Sequence, residues 1–189
     1  MESALIVSST EESIAFFTEL LNVASISYIS GLQSCAEARR SLLERDFDLV
    51  IINMPLRDET GENFARSIAV NGTAQVILVV RNEFFDAISA VCEECGVLTV
   101  AKPMNKSIFW SALTLAKSAQ SFKKRMQSEN AWLKKQIEDI RIVDRAKWIL
   151  VSCMNMTEQD AHRYLEKQAM DKRTTKRAIS EEILKTYES

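Results

Sequence analysis

The chain of 189 residues is poor in the two residues that interrupt helices and form tight turns. It contains four glycines and two prolines, which excludes a collagen-like, linker-rich or loop-rich all-β protein and favours helix. Four cysteines are too few for a dense disulfide framework. No apolar run approaches the roughly 20 residues of a membrane helix, and the start Met1-Glu2-Ser3-Ala4 lacks the positive charge of a signal peptide. We therefore expect a cytoplasmic protein without a membrane segment.

Motifs for catalysis and metal binding are also scarce. The sequence has one histidine, His162, and lacks a glycine-rich phosphate loop, a Ser-His-Asp set and a His-Glu-x-x-His motif. Cys92 and Cys95 form a Cys-x-x-Cys pair, but a zinc site needs two further ligands at matching spacing. Because this pair falls within a predicted helix, we interpret it as two ordinary cysteines. We predict no enzyme activity, no metal and no cofactor.

The net charge of −2 conceals an asymmetry along the chain. Residues 1–122 carry nine Lys and Arg against 15 Asp and Glu, whereas residues 123–189 carry 15 against 11. This difference indicates two functional parts, and the basic part suits an acidic partner. The alternative is that residues 123–189 form a solvated helical surface with charges of both signs, which accounts for the same charge counts without a charged partner.

Short apolar runs alternate with amphipathic segments over the first 100 residues. The runs predict strands at residues 4–7, 26–29, 49–52, 75–80 and 97–101. The segments between them predict helices at residues 11–23, 34–45, 63–70 and 84–94. Because parallel strands need crossover helices, this α/β alternation predicts a doubly wound, five-stranded parallel sheet.

Residues 105–150 predict one long helix, since glycine and proline are absent after Pro103. Its apolar stripe is too long for one face of a small domain, which predicts a coiled coil with a second copy of the chain. A helix folded back on its own domain is the alternative. The predicted dimerisation residues are Phe122, Met126, Asn130, Leu133, Ile137 and Ile140.

Two shorter helices are predicted at the end of the chain. Thr157 is the expected N-cap of the first, and the second covers about residues 174–187. Together with the end of the long helix, their apolar faces form an all-α unit of three packed helices. Trp148 is expected in the core of this unit rather than as a stacking platform, and His162 is expected to be an exposed helix residue rather than a stacking one.

Residues 1–118 resemble the receiver domain of two-component response regulators. The resemblance rests on the strand at residues 4–7, the run 48–53 followed by Gly61, and Lys102-Pro103 after the fifth strand. It implies a flavodoxin-like fold. It also implies a phosphorylation site made of an acidic pair, an acceptor aspartate, a hydroxyl group and a lysine.

This sequence departs from that site at all positions except the lysine. The acidic pair falls on Ser8 and Ser9, the acceptor on Asn53 and the hydroxyl on Val80, which leaves Lys102. An amide cannot form an acyl phosphate, and Mg²⁺ prefers carboxylates to neutral oxygens. We therefore expect a pseudo-receiver that keeps the fold and has lost phosphotransfer. Lys102 is expected to bond Asn53 or a strand-end carbonyl, or else to be an exposed loop lysine.

Two adjacent aromatic residues, Phe109 and Trp110, begin the long helix. Neighbouring helical positions do not face the same way. One of the two is an interface anchor, or both pack in seams between strand and helix.

Residues 128–188 resemble the ANTAR domain, the RNA-binding output module of antiterminator proteins. The matching positions are residues 145–150, Thr157-Glu158, Ala161, Leu165, Ala169-Met170, Ile179 and Ile183. The order of pseudo-receiver (1–118), long helix (105–150) and ANTAR module (128–188) is most similar to the amidase-operon type of antiterminator, in which phosphorylation is also dispensed with. The resemblance implies binding to hairpins of a leader transcript, and the lost site suggests a regulatory protein partner.

Basic residues cluster in the same segment at helical spacings. The predicted RNA-binding residues are Arg145, Lys147, Arg163, Lys167, Lys172, Arg173, Lys176 and Arg177. The alternative is a response-regulator-like protein that docks a protein partner or binds DNA without binding RNA. A DNA-recognition helix usually follows a tight turn, often with glycine, and residues 152–156 contain none.

Overall fold

The computed structural model describes residues 1–72 and 74–187, and they form five strands and seven α-helices. The strands are Ser3–Ser8 (β1), Tyr28–Leu32 (β2), Leu49–Asn53 (β3), Gln75–Arg81 (β4) and Leu98–Lys102 (β5). The helices are Glu11–Val23 (α1), Cys35–Glu44 (α2), Glu62–Asn71 (α3), Phe85–Glu93 (α4), Lys106–Met154 (α5), Glu158–Asp171 (α6) and Lys176–Tyr187 (α7). The chain divides between Arg125 and Met126 into two compact units.

All five strands are parallel, in the order β2-β1-β3-β4-β5. This confirms the predicted doubly wound sheet. The central strands β1, β3 and β4 are apolar and almost wholly buried, as parallel strands covered on both faces must be. Because the strand order reverses between β1 and β3, the carboxyl ends of these two strands flank the place where such sheets bind ligands.

Helices cover both faces of the sheet and form one hydrophobic cluster on each side. On one side α2, α3 and α4 contribute Ala38, Phe64 and Cys92. On the other side α1 and the beginning of α5 contribute Phe17 and Phe109, whose ring centroids lie 5.7 Å apart. Phe109 is fully buried and Trp110 packs half-buried against the same cluster, so both occupy seams between helix and sheet.

Two strands begin later than the sequence predicts, and both for the same reason. Ile26 and Val97 belong to helix-terminating turns: Ile26 N–H donates to Leu21 O, and Val97 N–H donates to Cys92 O. In each turn the preceding residue has positive φ, 59° at Ser25 and 74° at Gly96. This is the Schellman arrangement, in which the apolar residue after the left-handed position packs back on the helix. The apolar side chains at 26 and 97 therefore end helices rather than begin strands.

The second unit consists of the end of α5 with α6 and α7. Thr157 caps α6 as predicted, because its Oγ1 accepts a hydrogen bond from Asp160 N at 3.2 Å. The core is apolar and comes from all three helices: Ile142, Ala146, Leu150, Ala161, Leu165, Ala169, Ile179 and Leu184.

Three lysines attach the first third of α5 to the first unit. Lys117 Nζ donates to Ala24 O at 3.3 Å, beyond the end of α1, and Lys123 Nζ donates to Gly72 O at 2.8 Å, beyond the end of α3. Cations satisfy carbonyls at helix ends in this way. Lys124 Nζ forms an ion pair with Asp48 Oδ1 at 2.6 Å.

None of the helices in the described part of the chain has both the length and the apolar character needed to cross a membrane. The four cysteines are free thiols. Cys92 lies within α4, whereas Cys95 follows its end.

Besides its ion pair with Lys124, the Asp48 carboxylate binds the amino end of β1. It accepts hydrogen bonds from the N–H groups of Glu2 and Ser3. Burial by itself raises the pKa of this carboxyl, but the Lys124 ammonium and the two N–H groups outweigh it and lower the pKa to about 2.

Replacing this carboxylate should weaken the fold in a pH-dependent way. Because the pKa is depressed in the folded protein, the ionised form stabilises it above the ordinary value of 3.8, and this contribution disappears as the pH falls towards 2. We expect Asp48→Asn to lower the free energy of unfolding at neutral pH by about 1–2 kcal/mol. Below pH 3.8 the difference should shrink. Urea titrations at several pH values measure this, with exposed Asp46→Asn as the control. A difference independent of pH would contradict it.

Candidate functional site

The first candidate site lies where β1 and β3 end side by side. Ser8 is paired with Asn53 in the register of the two strands, and Asn53 Nδ2 donates a hydrogen bond to Ser8 Oγ at 2.9 Å. Among the described residues, Asn53 Oδ1 has no partner. A cavity of about 400 Å³ opens at this edge, lined by Glu12, Ser13, Phe16, Phe17, Asn53, Val79, Lys102, Pro103 and Met104.

Lys102 contacts the backbone rather than the Asn53 side chain. Its Nζ donates to Met54 O, one residue beyond β3, at 2.5 Å. Burial lowers the pKa of this lysine, and the nearby charge of Arg81 adds to the effect. Of the predicted environments for Lys102, the strand-end carbonyl is therefore the one observed.

The other two positions of this site, Val80 and Ser9, offer fewer polar groups than Ser8, Asn53 and Lys102. Val80 is fully buried and apolar, so it presents no hydroxyl group. Ser9 lies half-buried after β1, and its carbonyl accepts a hydrogen bond from Arg57 Nε at 3.1 Å. The side chains at this edge thus supply an amide, two hydroxyl groups and an ammonium, with the Glu12 carboxylate on the cavity wall.

The second candidate site is the basic surface of the second unit. Half of the predicted RNA-binding residues form ion pairs there: Lys147 with Asp144 (2.9 Å) and Glu158 (3.3 Å), Lys172 with Glu182 (2.6 Å), Lys176 with Glu166 (3.1 Å), and Arg177 with Asp139 (2.5 Å) and Glu181 (2.8 Å). Most of these pairs join different helices, so the cations hold the unit together. Sequence reasoning missed them because partners on different helices are separated by ten residues or more.

Three predicted cations remain available. Arg163, Lys167 and Arg173 are exposed, and within residues 1–72 and 74–187 none of their side chains has a hydrogen-bonding or ion-pair partner. Arg163 and Lys167 are four residues apart on α6 and therefore share one face. Arg145 is also exposed, and it has an interaction of its own.

Arg173 occupies a backbone conformation that usually belongs to glycine. Its φ is 50°, and it sits in a Schellman turn in which Thr174 N–H donates to Ala169 O and Arg173 N–H donates to Met170 O. For a side chain other than glycine this left-handed conformation costs about 1 kcal/mol. Arg173 thereby places a long cation just beyond the end of α6.

The expectation that Trp148 belongs to the core is wrong, because its side chain is 73% exposed. Ala146 and Leu150 point into the core, and a residue two positions from each of them lies on the opposite side of the helix. The spacing of Trp148 from these two residues in the sequence therefore already predicts that it faces away from the core. His162 is exposed as predicted, and its Nε2 lies 3.1 Å from Glu166 Oε1.

The predicted dimerisation residues lie along the exposed middle of α5. Asn130 is exposed, and the apolar members are between 44% and 59% exposed: Phe122, Met126, Leu133, Ile137 and Ile140. Large apolar side chains at this spacing leave an uncovered stripe on the helix.

Known proteins resemble both units. Residues 131–184 match the family model of the ANTAR domain. The transcriptional regulatory protein PdtaR of Mycobacterium tuberculosis, in strains CDC 1551 and H37Rv, is 29% identical over 139 residues, which cover 74% of this chain and 68% of PdtaR.

Solved structures resemble the first unit. The signal receiver domain of an HD domain-containing protein from Pseudomonas fluorescens has a TM-score of 0.58 at 20% identity, covering 66% of this chain and 94% of that one. A CheY-like receiver domain from Methylobacillus flagellatus has a TM-score of 0.53 at 20% identity, covering 61% and 98%. At this identity the likeness shows the fold alone. The first unit thus has a receiver-like fold, and the second unit contains the segment that matches the ANTAR domain.

Proposed function

We propose that the protein binds hairpin RNA in a nascent leader transcript and prevents termination of transcription. The observation that carries this proposal is the ANTAR match at residues 131–184, which coincides with the compact three-helix unit. The name of PdtaR, a transcriptional regulatory protein, supports the same class of function. Exposed cations on the unit supply salt-dependent attraction to phosphates.

The unpaired cations are the phosphate contacts in this proposal. Arg163 and Lys167 form one turn of a basic face on α6, and Arg173 follows at the end of that helix. A phosphate gains the full attraction of these groups, because no carboxylate of the described residues neutralises them. The paired cations Lys172 and Lys176 must first give up a carboxylate.

Removing unpaired cations should therefore weaken RNA binding more than removing paired ones. We expect Arg163→Ala/Lys167→Ala to lower affinity for a pool of RNA hairpins by about tenfold or more, and to reduce the slope of log affinity against log salt by about 1–2. The control, Lys172→Ala/Lys176→Ala, removes the same charge and should lose less. Fluorescence anisotropy at several salt concentrations measures both. Equal losses would contradict this assignment, and tighter binding to duplex DNA would favour the DNA-binding alternative.

The protein acts as a homodimer in this proposal, joined by a coiled coil along the exposed stripe of α5. In the dimer, five large apolar side chains on each chain would be buried, and the removal of this apolar surface from water stabilises the association. Asn130 lies among them, and a polar residue at such a seam fixes register and two-strandedness. Two linked RNA-binding units make the second contact intramolecular, which raises the overall affinity.

Charges within the stripe should separate the dimer. We expect Leu133→Glu/Ile137→Glu to convert a dimer into a monomer in size-exclusion chromatography with light scattering, because two carboxylates would be buried without partners. The loss of the dimer should also lower the affinity for RNAs that carry two hairpins by about tenfold or more. Leu43→Glu/Val70→Glu, which alters exposed apolar residues of the first unit, is the control. A monomeric natural protein at micromolar concentration would contradict the proposed dimer.

Control by something other than aspartyl phosphorylation is the last part of the proposal. Asn53 stands at the acceptor position and bonds Ser8, while Lys102 is held by Met54 O. An amide nitrogen that donates to a hydroxyl group offers no carboxylate oxygen for a phosphoryl group. A protein that sequesters the first unit or the coiled coil is the regulator we propose.

Phosphodonors should leave the protein unchanged. With acetyl phosphate and Mg²⁺ we expect no gain of mass by a phosphoryl group in intact-mass spectrometry, and no change in RNA affinity, since Asn53 cannot form an acyl phosphate. A phosphorylated species that Asn53→Ala abolishes would contradict this part of the proposal and leave the RNA-binding part standing.

A further inference from the structure

Trp148 faces solvent beside a small cavity in the second unit. The cavity has a volume of about 300 Å³ and is lined by Asp144, Lys147, Trp148, Val151 and Glu158. Among the described residues, no aromatic ring stacks on the Trp148 indole, which is 73% exposed. The indole therefore presents an exposed flat surface next to a pocket with an apolar wall and three charged side chains at its side.

The polar side of this pocket carries two carboxylates and one ammonium. Lys147 Nζ donates to Asp144 Oδ1 at 2.9 Å and to Glu158 Oε1 at 3.3 Å. The Lys147 side chain is only 18% exposed, whereas those of Asp144 and Glu158 are 52% and 82% exposed. Because the carboxylates outnumber the ammonium, the pocket repels a phosphate. Each carboxylate keeps lone pairs that can accept further hydrogen bonds.

An unpaired nucleobase fits this combination. Its flat face stacks on an indole, and its edge is uncharged and carries both N–H donors and acceptors. Guanine matches best, since it places an N–H and an amino group beside a carbonyl: the donors suit Asp144 and Glu158, and the carbonyl suits Lys147.

We propose that Trp148 is the stacking platform for an unpaired base of the RNA, and that Asp144, Lys147 and Glu158 read its edge with a preference for guanine. This inference rests on the proposed RNA binding and deepens it. It changes the role of Lys147 from a phosphate contact to a contact with a base.

A second copy of the chain fits this surface less well. The stripe of α5 continues from Ile140 at the same spacing to Asp144, Lys147 and Val151. A helix packed there would bury the charged pair Asp144–Lys147, and burial of such pairs carries a desolvation penalty. A base leaves those charges hydrogen-bonded and partly in water.

The first experiment uses the full chain and a pool of RNA hairpins with a randomised loop. We expect Trp148→Ala to lower affinity by about tenfold, because stacking on an aromatic side chain contributes this much. Trp148→Phe keeps a ring and should bind within about threefold of the natural protein. Trp132→Ala is the matched control: Trp132 is 59% exposed on the same helix but lies outside the cavity, and we expect no change.

The second experiment sequences the loops that each variant selects from the pool. The natural protein should enrich an unpaired guanine, and Asp144→Asn/Glu158→Gln should lose that enrichment. On a surface that attracts RNA by charge alone, the same double variant would bind all hairpins more tightly and keep its loop preference, which would overturn the inference.

The outcomes separate this inference from the function on which it rests. Natural affinity and loop preference in Trp148→Ala overturn the stacking role while RNA binding stands. A change of mass from dimer to monomer in Trp148→Ala, measured by light scattering, assigns the residue to a contact between copies and also overturns it. If the natural protein binds no hairpin at low salt, the proposed function fails and the inference fails with it.

Discussion

One uninterrupted helix supplies side chains to two separate hydrophobic cores. At its beginning α5 buries Phe109, Leu113 and Ala116 against the sheet, and near its end it buries Ile142, Ala146 and Leu150 against α6 and α7. Without these residues neither core is complete. This double use requires 49 residues of unbroken helix, and the absence of glycine and proline beyond Pro103 is the feature of the sequence that permits it.

Half of the predicted RNA-binding cations in the second unit form ion pairs within its own structure. Arg177 connects α7 to Asp139 of α5, and Lys176 connects it to Glu166 of α6. Exposed pairs of this kind stabilise a protein only modestly, but they decide which cations are left for a polyanion. The regional charge excess therefore points to the second unit and gives little information about which of its cations are free to bind a partner.

Local patterns suffice to predict the strands and crossover helices of the sheet, the long helix and the cap at Thr157, because each element depends on residues that are neighbours along the chain. The errors occurred where a residue serves an element other than the expected one. Ile26 and Val97 are apolar and β-branched, as strand residues are, yet they close the helices before them. Trp148 lies outside the core, as its spacing of two residues from Ala146 on the helix indicates. The ion pairs at Lys147 and Arg177 depend on tertiary packing, for which one sequence gives no local pattern.

The edge of the sheet where β1 and β3 end is organised by strand order rather than by the side chains on it. The reversal of strand order brings Ser8 and Asn53 together, and Lys102 reaches the same edge. Asn53 donates to the Ser8 hydroxyl group and Lys102 donates to a backbone carbonyl, and the Ser8 and Asn53 side chains are both uncharged. Under the proposed function, a signal must therefore act by covering a surface rather than by altering this edge. The two surfaces on which RNA binding would depend, the stripe of α5 and the face of α6, are those that such a partner must cover.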